Sequence, residues 1–136
     1  MLLLILPSLI WMSASDLRSH RIPNRALIVL TCIALGNAII EGHDWKSHVT
    51  AFLIIFVVAT CGWKFFDLGM GDVKLLGVLS LLLIPVNVSS YQIFTLTFTV
   101  AAIVHVAIST KGRFTCDQAF PLAPSLSLAT VLVHLI

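Results

Sequence analysis

Charged residues are scarce in this sequence. Lysine, arginine, aspartate and glutamate make up 10% of its 136 residues, against about 25% in ordinary soluble domains. Hydrophobic residues make up 59%, and the mean hydropathy is +1.06. This small number of polar groups cannot cover the surface of a water-exposed globule. The composition therefore predicts an integral membrane protein in a lipid bilayer. The net charge of +2 gives no indication of a nucleic-acid partner.

Several common site patterns are also absent. The three cysteines are widely spaced and form no C-x-x-C pair, so neither a disulfide framework nor a zinc site is expected. The G-x-S-x-G, H-E-x-x-H and phosphate-binding-loop patterns do not occur. The sequence therefore predicts no bound metal and no cofactor.

The first apolar stretch, Met1 to Ser15, lacks a preceding lysine or arginine. Ser13-Ala14-Ser15 resembles a signal-peptide cleavage site, which leaves a secretory signal as the alternative. A signal peptide needs a positively charged start, however. The stretch is therefore predicted as a first transmembrane helix.

The remaining chain divides into further apolar segments. Leu75 to Thr110 contains 36 residues without Asp, Glu, Lys or Arg, and one helix of that length would measure roughly 54 Å, well beyond a bilayer core of about 30 Å. It must fold back, and Pro85 to Ser90 has the composition of a turn. The sequence thus predicts an all-α, compact bundle of six transmembrane helices that forms a single domain over residues 1–136. The predicted helices are 1–15, 24–40, 49–63, 72–84, 91–109 and 121–136.

The positive charges are distributed unequally between the connecting segments. Those on one side contain seven lysines and arginines, and those on the other contain only Lys46. Positive residues favour the cytoplasmic side, so both termini are predicted outside. The seven are Arg18, Arg21, Arg25, Lys64, Lys74, Lys111 and Arg113.

Two of the six acidic residues are predicted at one membrane depth. Asp16 ends the first helix and Asp72 starts the fourth, both on the cytoplasmic side. A pair of carboxylates can hydrolyse a peptide without a metal, because one accepts a proton from water while the other donates one. The other acids are interpreted as loop charges; these are Glu41, Asp44, Asp67 and Asp117.

A structural interpretation of these two residues stays open at this point. Asp72 could be a helix N-cap that bonds free backbone amides. Asp16 fits that role badly, because the end of a helix favours cations. Gly69 and Gly71 are predicted to let the backbone approach a substrate closely and to adopt dihedral angles that other residues cannot adopt. Gly77 is predicted to let a neighbouring helix or an extended substrate pack closely against the fourth helix.

At these residues the sequence resembles the type IV prepilin peptidases, which are membrane aspartic proteases with a G-x-G-D motif. Gly69-Met70-Gly71-Asp72-Val73-Lys74-Leu75-Leu76 is similar to their signature. Asp16 followed by Arg21-Ile22-Pro23-Asn24 is similar to their first aspartate with R-x-I-P-N. Pro121-Leu122-Ala123-Pro124 resembles the proline-rich start of their last helix.

The resemblance implies an aspartic endopeptidase of the bacterial cytoplasmic membrane, with Asp16 and Asp72 as the catalytic pair. Its substrate would be a type IV or Flp-type prepilin, whose short basic leader precedes a hydrophobic helix. Gly69, Gly71, Lys74, Arg21, Pro23, Asn24, Pro121 and Pro124 would shape the site. Nothing here corresponds to the methyltransferase domain of larger members, so cleavage without N-methylation is expected.

Two other functions remain as alternatives. A non-enzymatic membrane subunit of a pilus-assembly or secretion system would use both aspartates for topology and capping. A proton- or ion-coupled carrier would need ionisable groups at mid-membrane, where only His105 qualifies. The sequence predicts neither the oligomeric state nor the bond that is cleaved.

Overall fold

The computed structural model describes residues 2–19, 21–66, 69–110 and 121–136, which form six α-helices and no strand. The prediction of an all-helical chain with six helices is confirmed. Residues 67–68 and 111–120, with the predicted loop charges Asp67, Lys111, Arg113 and Asp117, lie outside the described residues. The helices are α1 (Leu2–Ser19), α2 (Asn24–Ile40), α3 (Trp45–Phe66), α4 (Met70–Leu82), α5 (Val88–Thr110) and α6 (Ala123–Leu135).

Some helix ends differ from the sequence-based boundaries, for local reasons. Helix α3 begins at Trp45 rather than at residue 49, because Asp44 accepts hydrogen bonds from the Ser47 hydroxyl and from amides of the first turn. The predicted polar connection was therefore too long. Helix α5 likewise begins early, at Val88, because the Asn87 side chain accepts a 2.7 Å hydrogen bond from the Ser90 amide.

Four helices form the centre of the bundle. Helix α1 packs against α2 and α6, and α4 packs against α2, α3 and α6. The buried positions of α2 recur every four residues and are mostly alanine, which lets α1 and α4 approach closely. They are Ala26, Leu30, Ala34 and Ala38.

The two longest helices lie at the periphery. Among the described residues, α3 packs against α4 and α5 packs against α6. Large apolar side chains on both point outward, among them Ile54, Val58, Leu96 and Ile103. Such outward apolar faces are costly in water and favourable in lipid.

Both peripheral helices are long and apolar enough to cross a bilayer. The candidate spans are Trp45–Lys64 and Val88–Ile108. Of the most apolar part of each span, only 11% in the first and 6% in the second is buried inside the protein. Helices α2 and α6 are apolar but shorter. Two exposed spans of this kind indicate a membrane protein.

Candidate active site

Asp16 lies in the last turn of α1, where its side chain is 4% exposed. The sequence predicts Asp16 at the end of the first helix, whereas α1 continues one turn further, to Ser19. Oδ2 of Asp16 accepts a 3.0 Å hydrogen bond from the backbone amide of Ala123, the first residue of α6. The carboxylate therefore faces into the bundle and contacts the start of the last helix.

A second hydrogen bond joins the same two helices one turn further into the bundle. The Ser13 hydroxyl donates to the Ser127 hydroxyl at 3.0 Å. Ser13 precedes Asp16 by three residues, and Ser127 follows Ala123 by four, so each pair lies on one helix face. The end of α1 is thus fixed against the start of α6 at two points.

Asp72 lies in the first turn of α4 and is 8% exposed. The open interpretation as an N-cap is wrong, because the N-cap residue is Gly69 and no side chain caps this helix. Instead, Asp72 follows the cap by three residues. Its Oδ1 atom is buried and has no hydrogen-bond partner within the described parts of the chain.

The two carboxylates line one cleft. It has a volume of about 310 Å³. Asp16 and Asp72 are close enough within it to interact electrostatically. The lining residues are Asp16, Arg21, Ile22, Asn24, Gly69, Met70, Gly71, Asp72 and Lys74.

The cleft contains most of the residues that the sequence predicts for the site. The α1–α2 connection contributes Arg21, and the first residue of α2 contributes Asn24. The start of α4 contributes Gly69, Gly71 and Lys74. Charged groups of both signs therefore meet in a small volume that opens beside two helix ends. Such an arrangement can bind a peptide backbone and transfer protons to and from it.

Three predicted residues lie outside the cleft lining. Pro23 is the N-cap residue of α2, with φ −69° and ψ 126°, and its carbonyl accepts the Leu27 amide. Pro121 precedes α6, and Pro124 is the second residue of that helix. All three therefore act on helix starts, and α6 begins at Ala123 rather than at Pro121.

The glycines near Asp72 act through space rather than through dihedral angles. The expectation of special dihedrals is wrong, because Gly42 is the one glycine with a positive φ among the described residues, and Gly69 has φ −60°. A Cβ atom on Gly71 would lie 3.1 Å from Cβ of Ile22. The missing side chain at Gly71 therefore lets the α1–α2 connection approach α4.

The amide of Ala123 is the part of the site that the sequence does not predict. The prolines around it indicate a helix start, yet nothing in the pattern shows which group that start would face. Ser13, Ser127 and Ile22 were missed for the same reason, since each acts through one contact to a distant part of the chain.

Histidines away from the cleft show no metal-binding group. His134 Nδ1 lies 2.8 Å from the Thr130 carbonyl of its own helix, whereas His105 Nε2 is buried without a described partner. Over the residues that the structure describes, no three His, Cys, Asp or Glu side chains group closely enough to hold an ion.

The family model of the type IV leader peptidase family matches residues 3–109. The chain belongs to the type IV leader peptidase family. The match contains Asp16, Asp72 and every other residue that lines the cleft. Family membership identifies the protein as a peptidase.

Searches among curated proteins and among solved structures find no match. Helix α6 lies beyond the matched range. The family match therefore says nothing about the contact between Ala123 and Asp16, which is seen in the structure of this chain.

Proposed function

We propose that this leader peptidase is an aspartic endopeptidase that removes the short basic leader from type IV or Flp-type prepilins. The chain would act as a single transmembrane unit in the bacterial cytoplasmic membrane, with the site at the cytoplasmic face. The observation that carries the proposal is the pair of buried carboxylates, Asp16 and Asp72, that line one cleft.

The chemistry follows from this pairing. Two carboxylates in one small, largely buried volume do not readily carry two negative charges together, because each disfavours ionisation of the other. One proton shared by the pair leaves a base that can activate water and an acid that can protonate the scissile amide. Hydrolysis then needs no metal and no covalent intermediate.

The position of the cleft suits a substrate that is partly in water and partly in lipid. The seven-to-one distribution of lysine and arginine supports a cytoplasmic location for the helix ends that carry Asp16 and Asp72. A basic leader would reach the cleft from the cytoplasm. The hydrophobic helix that follows it in a prepilin would lie beside the apolar outer faces of the bundle.

Co-expression with a candidate prepilin tests the proposal. Loss of the leader is followed as a gel shift and by the mass of the new N-terminus, which also shows whether it is methylated; we propose cleavage alone. Asp16→Asn and Asp72→Asn should each reduce cleavage by at least about 10²–10⁴-fold, the usual contribution of an acid or base, while the protein accumulates in the membrane.

Asp44→Asn is the matched control, because Asp44 lies in the α2–α3 connection and asparagine also caps helices. It should cleave like the wild type. Full activity of either active-site variant would exclude the aspartic mechanism. A wild-type chain that promotes pilus assembly without cleaving any prepilin would instead support the non-enzymatic membrane subunit.

A further inference from the structure

The start of α6 supplies a charge-stabilising group to one aspartate of the pair and not to the other. The first amides of a helix lack partners within the helix and carry partial positive charge. The N-cap residue of α6, Leu122, makes no side-chain capping hydrogen bond. Asp16 from α1 instead accepts the amide of Ala123 at 3.0 Å, and Ala123 is fully buried. A buried hydrogen bond of this kind stabilises an ionised carboxylate more than a neutral carboxyl group.

Asp72 lies in a different environment. It lies in the first turn of its own helix, α4, but no capping hydrogen bond forms there. Its Oδ1 atom is buried without a hydrogen-bond partner among the described residues. A buried, unpaired carboxylate oxygen is costly. A proton on Asp72 removes that cost, and it also makes the side chain a donor.

We propose, on the basis of the proposed peptidase function, that Asp16 is the ionised general base and Asp72 the protonated general acid. The Ala123 amide is the positioning group that sets this division of roles. The start of α6 would therefore determine the direction of proton transfer in the pair, although it contributes no side chain to the cleft.

The cycle balances with these roles. Asp16 takes a proton from water as the water oxygen bonds to the scissile carbonyl carbon, and Asp72 gives its proton to the carbonyl oxygen. In the second step the C–N bond breaks, and Asp16 returns its proton to the leaving nitrogen. Asp72 regains a proton from one hydroxyl of the diol, so the products are a carboxylic acid and an amine, and both aspartates recover their starting forms.

Three other charged groups line the cleft with Asp16: Arg21 from the α1–α2 connection, and Asp72 and Lys74 from α4. Helix α6 presents no ionisable side chain at this end, since its one ionisable side chain is His134 in the last turn. Loss of the Ala123 amide therefore leaves the side-chain charges around Asp16 unchanged. A variant at this position isolates the backbone contribution.

Ala123→Pro removes the amide, and proline is compatible with the first position of a helix. We expect kcat to fall roughly 10- to 100-fold with KM changed less than about threefold, and the acid limb of the pH–rate profile to move to higher pH. Ala123→Gly keeps the amide and should therefore have a kcat close to that of the wild type. Ser127→Ala removes the neighbouring α1–α6 hydrogen bond but keeps the Ala123 amide, so the acid limb of its pH–rate profile should stay in place.

An unchanged kcat and profile in Ala123→Pro would overturn the role of the amide. Proline at 123 also disfavours the helical dihedrals of Leu122, so a second measurement leaves this position unchanged. Infrared difference spectra of the purified protein at neutral pH compare wild type with Asp16→Asn and Asp72→Asn. Asp16→Asn should remove a carboxylate band, and Asp72→Asn should remove a protonated carboxyl band.

The opposite band assignment would overturn the division of roles, even in an active enzyme. Absence of cleavage by the wild type would contradict the proposed function, while the bands still report which aspartate is protonated. The two failures are therefore distinguishable.

Discussion

Asp72 folds its carboxylate over Gly69, so that a Cβ atom on Gly69 would lie 2.8 Å from Oδ2 of Asp72. Gly69 itself has φ −60° and ψ 133°, dihedrals that any residue adopts. Glycine is therefore required here for the space that it leaves and not for its backbone freedom. Gly69, the first glycine of the G-x-G-D motif, leaves the space that the carboxylate of Asp72 occupies.

Gly69→Ala should displace the Asp72 carboxylate. The carboxylate is the mobile end of a side chain, so it can move away at little cost to folding, and the free energy of unfolding should change by less than roughly 1 kcal/mol. Catalysis depends on its position, and a displacement of about 1 Å can cost about 10²-fold. We expect kcat/KM for prepilin cleavage to fall about 10- to 100-fold, measured beside thermal unfolding in detergent.

Gly36→Ala is the control for this substitution. Gly36 lies in α2, and a Cβ there would meet nothing within 4 Å. Alanine in an exposed helix interior should stabilise the protein by roughly 0.5–1 kcal/mol and leave cleavage unchanged. Equal activity of Gly69→Ala and Gly36→Ala would show that Gly69 does not determine the position of the carboxylate.

Gly71→Ala should separate the α1–α2 connection from α4. The added Cβ would lie 3.1, 3.3 and 3.5 Å from the Cβ, Cγ1 and Cδ1 atoms of Ile22. Cβ cannot move without the backbone, so the connection that carries Arg21 and leads into α2 at Asn24 has to shift. We expect a loss of about 1–3 kcal/mol in the free energy of unfolding, as for overpacked sites, together with reduced cleavage.

A double-mutant cycle with Ile22→Gly identifies the cause. Ile22→Gly removes all three close atoms, so Gly71→Ala should cost much less in that background than in the wild type. Additive losses would show that Gly71 acts through some contact other than Ile22.

The sequence predicts the helices well because the apolar runs are long and charges or turn residues bound them. Helix α2 begins and ends as predicted, at Asn24 and Ile40. The starts of α3 and α5 are wrong because one polar side chain caps each helix, Asp44 and Asn87 respectively, and such a cap extends the helix into a segment of polar composition.

The site is predictable only in part, for a related reason. Asp16 and Asp72 could be paired because an ionisable group at the end of an apolar run is costly and because both lie on one side. The contact between Asp16 and Ala123 joins residues 107 positions apart, and it depends on how α1 packs against α6. Periodicity along the chain contains no information about that packing.

Acid should weaken the start of α3 through Asp44, which precedes the helix. Hydrogen bonds from the Ser47 hydroxyl and from first-turn amides hold the pKa of Asp44 below its ordinary value of 3.8. A carboxyl group whose folded pKa is lowered contributes stability above its unfolded pKa and loses it as pH falls through the folded pKa. The contribution of Asp44 should therefore be complete above pH 3.8 and disappear below it.

Asp44→Asn isolates this effect, because asparagine caps the helix without titrating. Between about pH 6 and about pH 3 the wild type should lose more thermal stability in detergent than Asp44→Asn does, since only the wild type protonates the cap. Ser47→Ala removes the main cause of the lowered pKa, so its acid-dependent loss should be smaller than that of the wild type. Identical losses in all three proteins would show that the cap does not couple pH to the stability of α3.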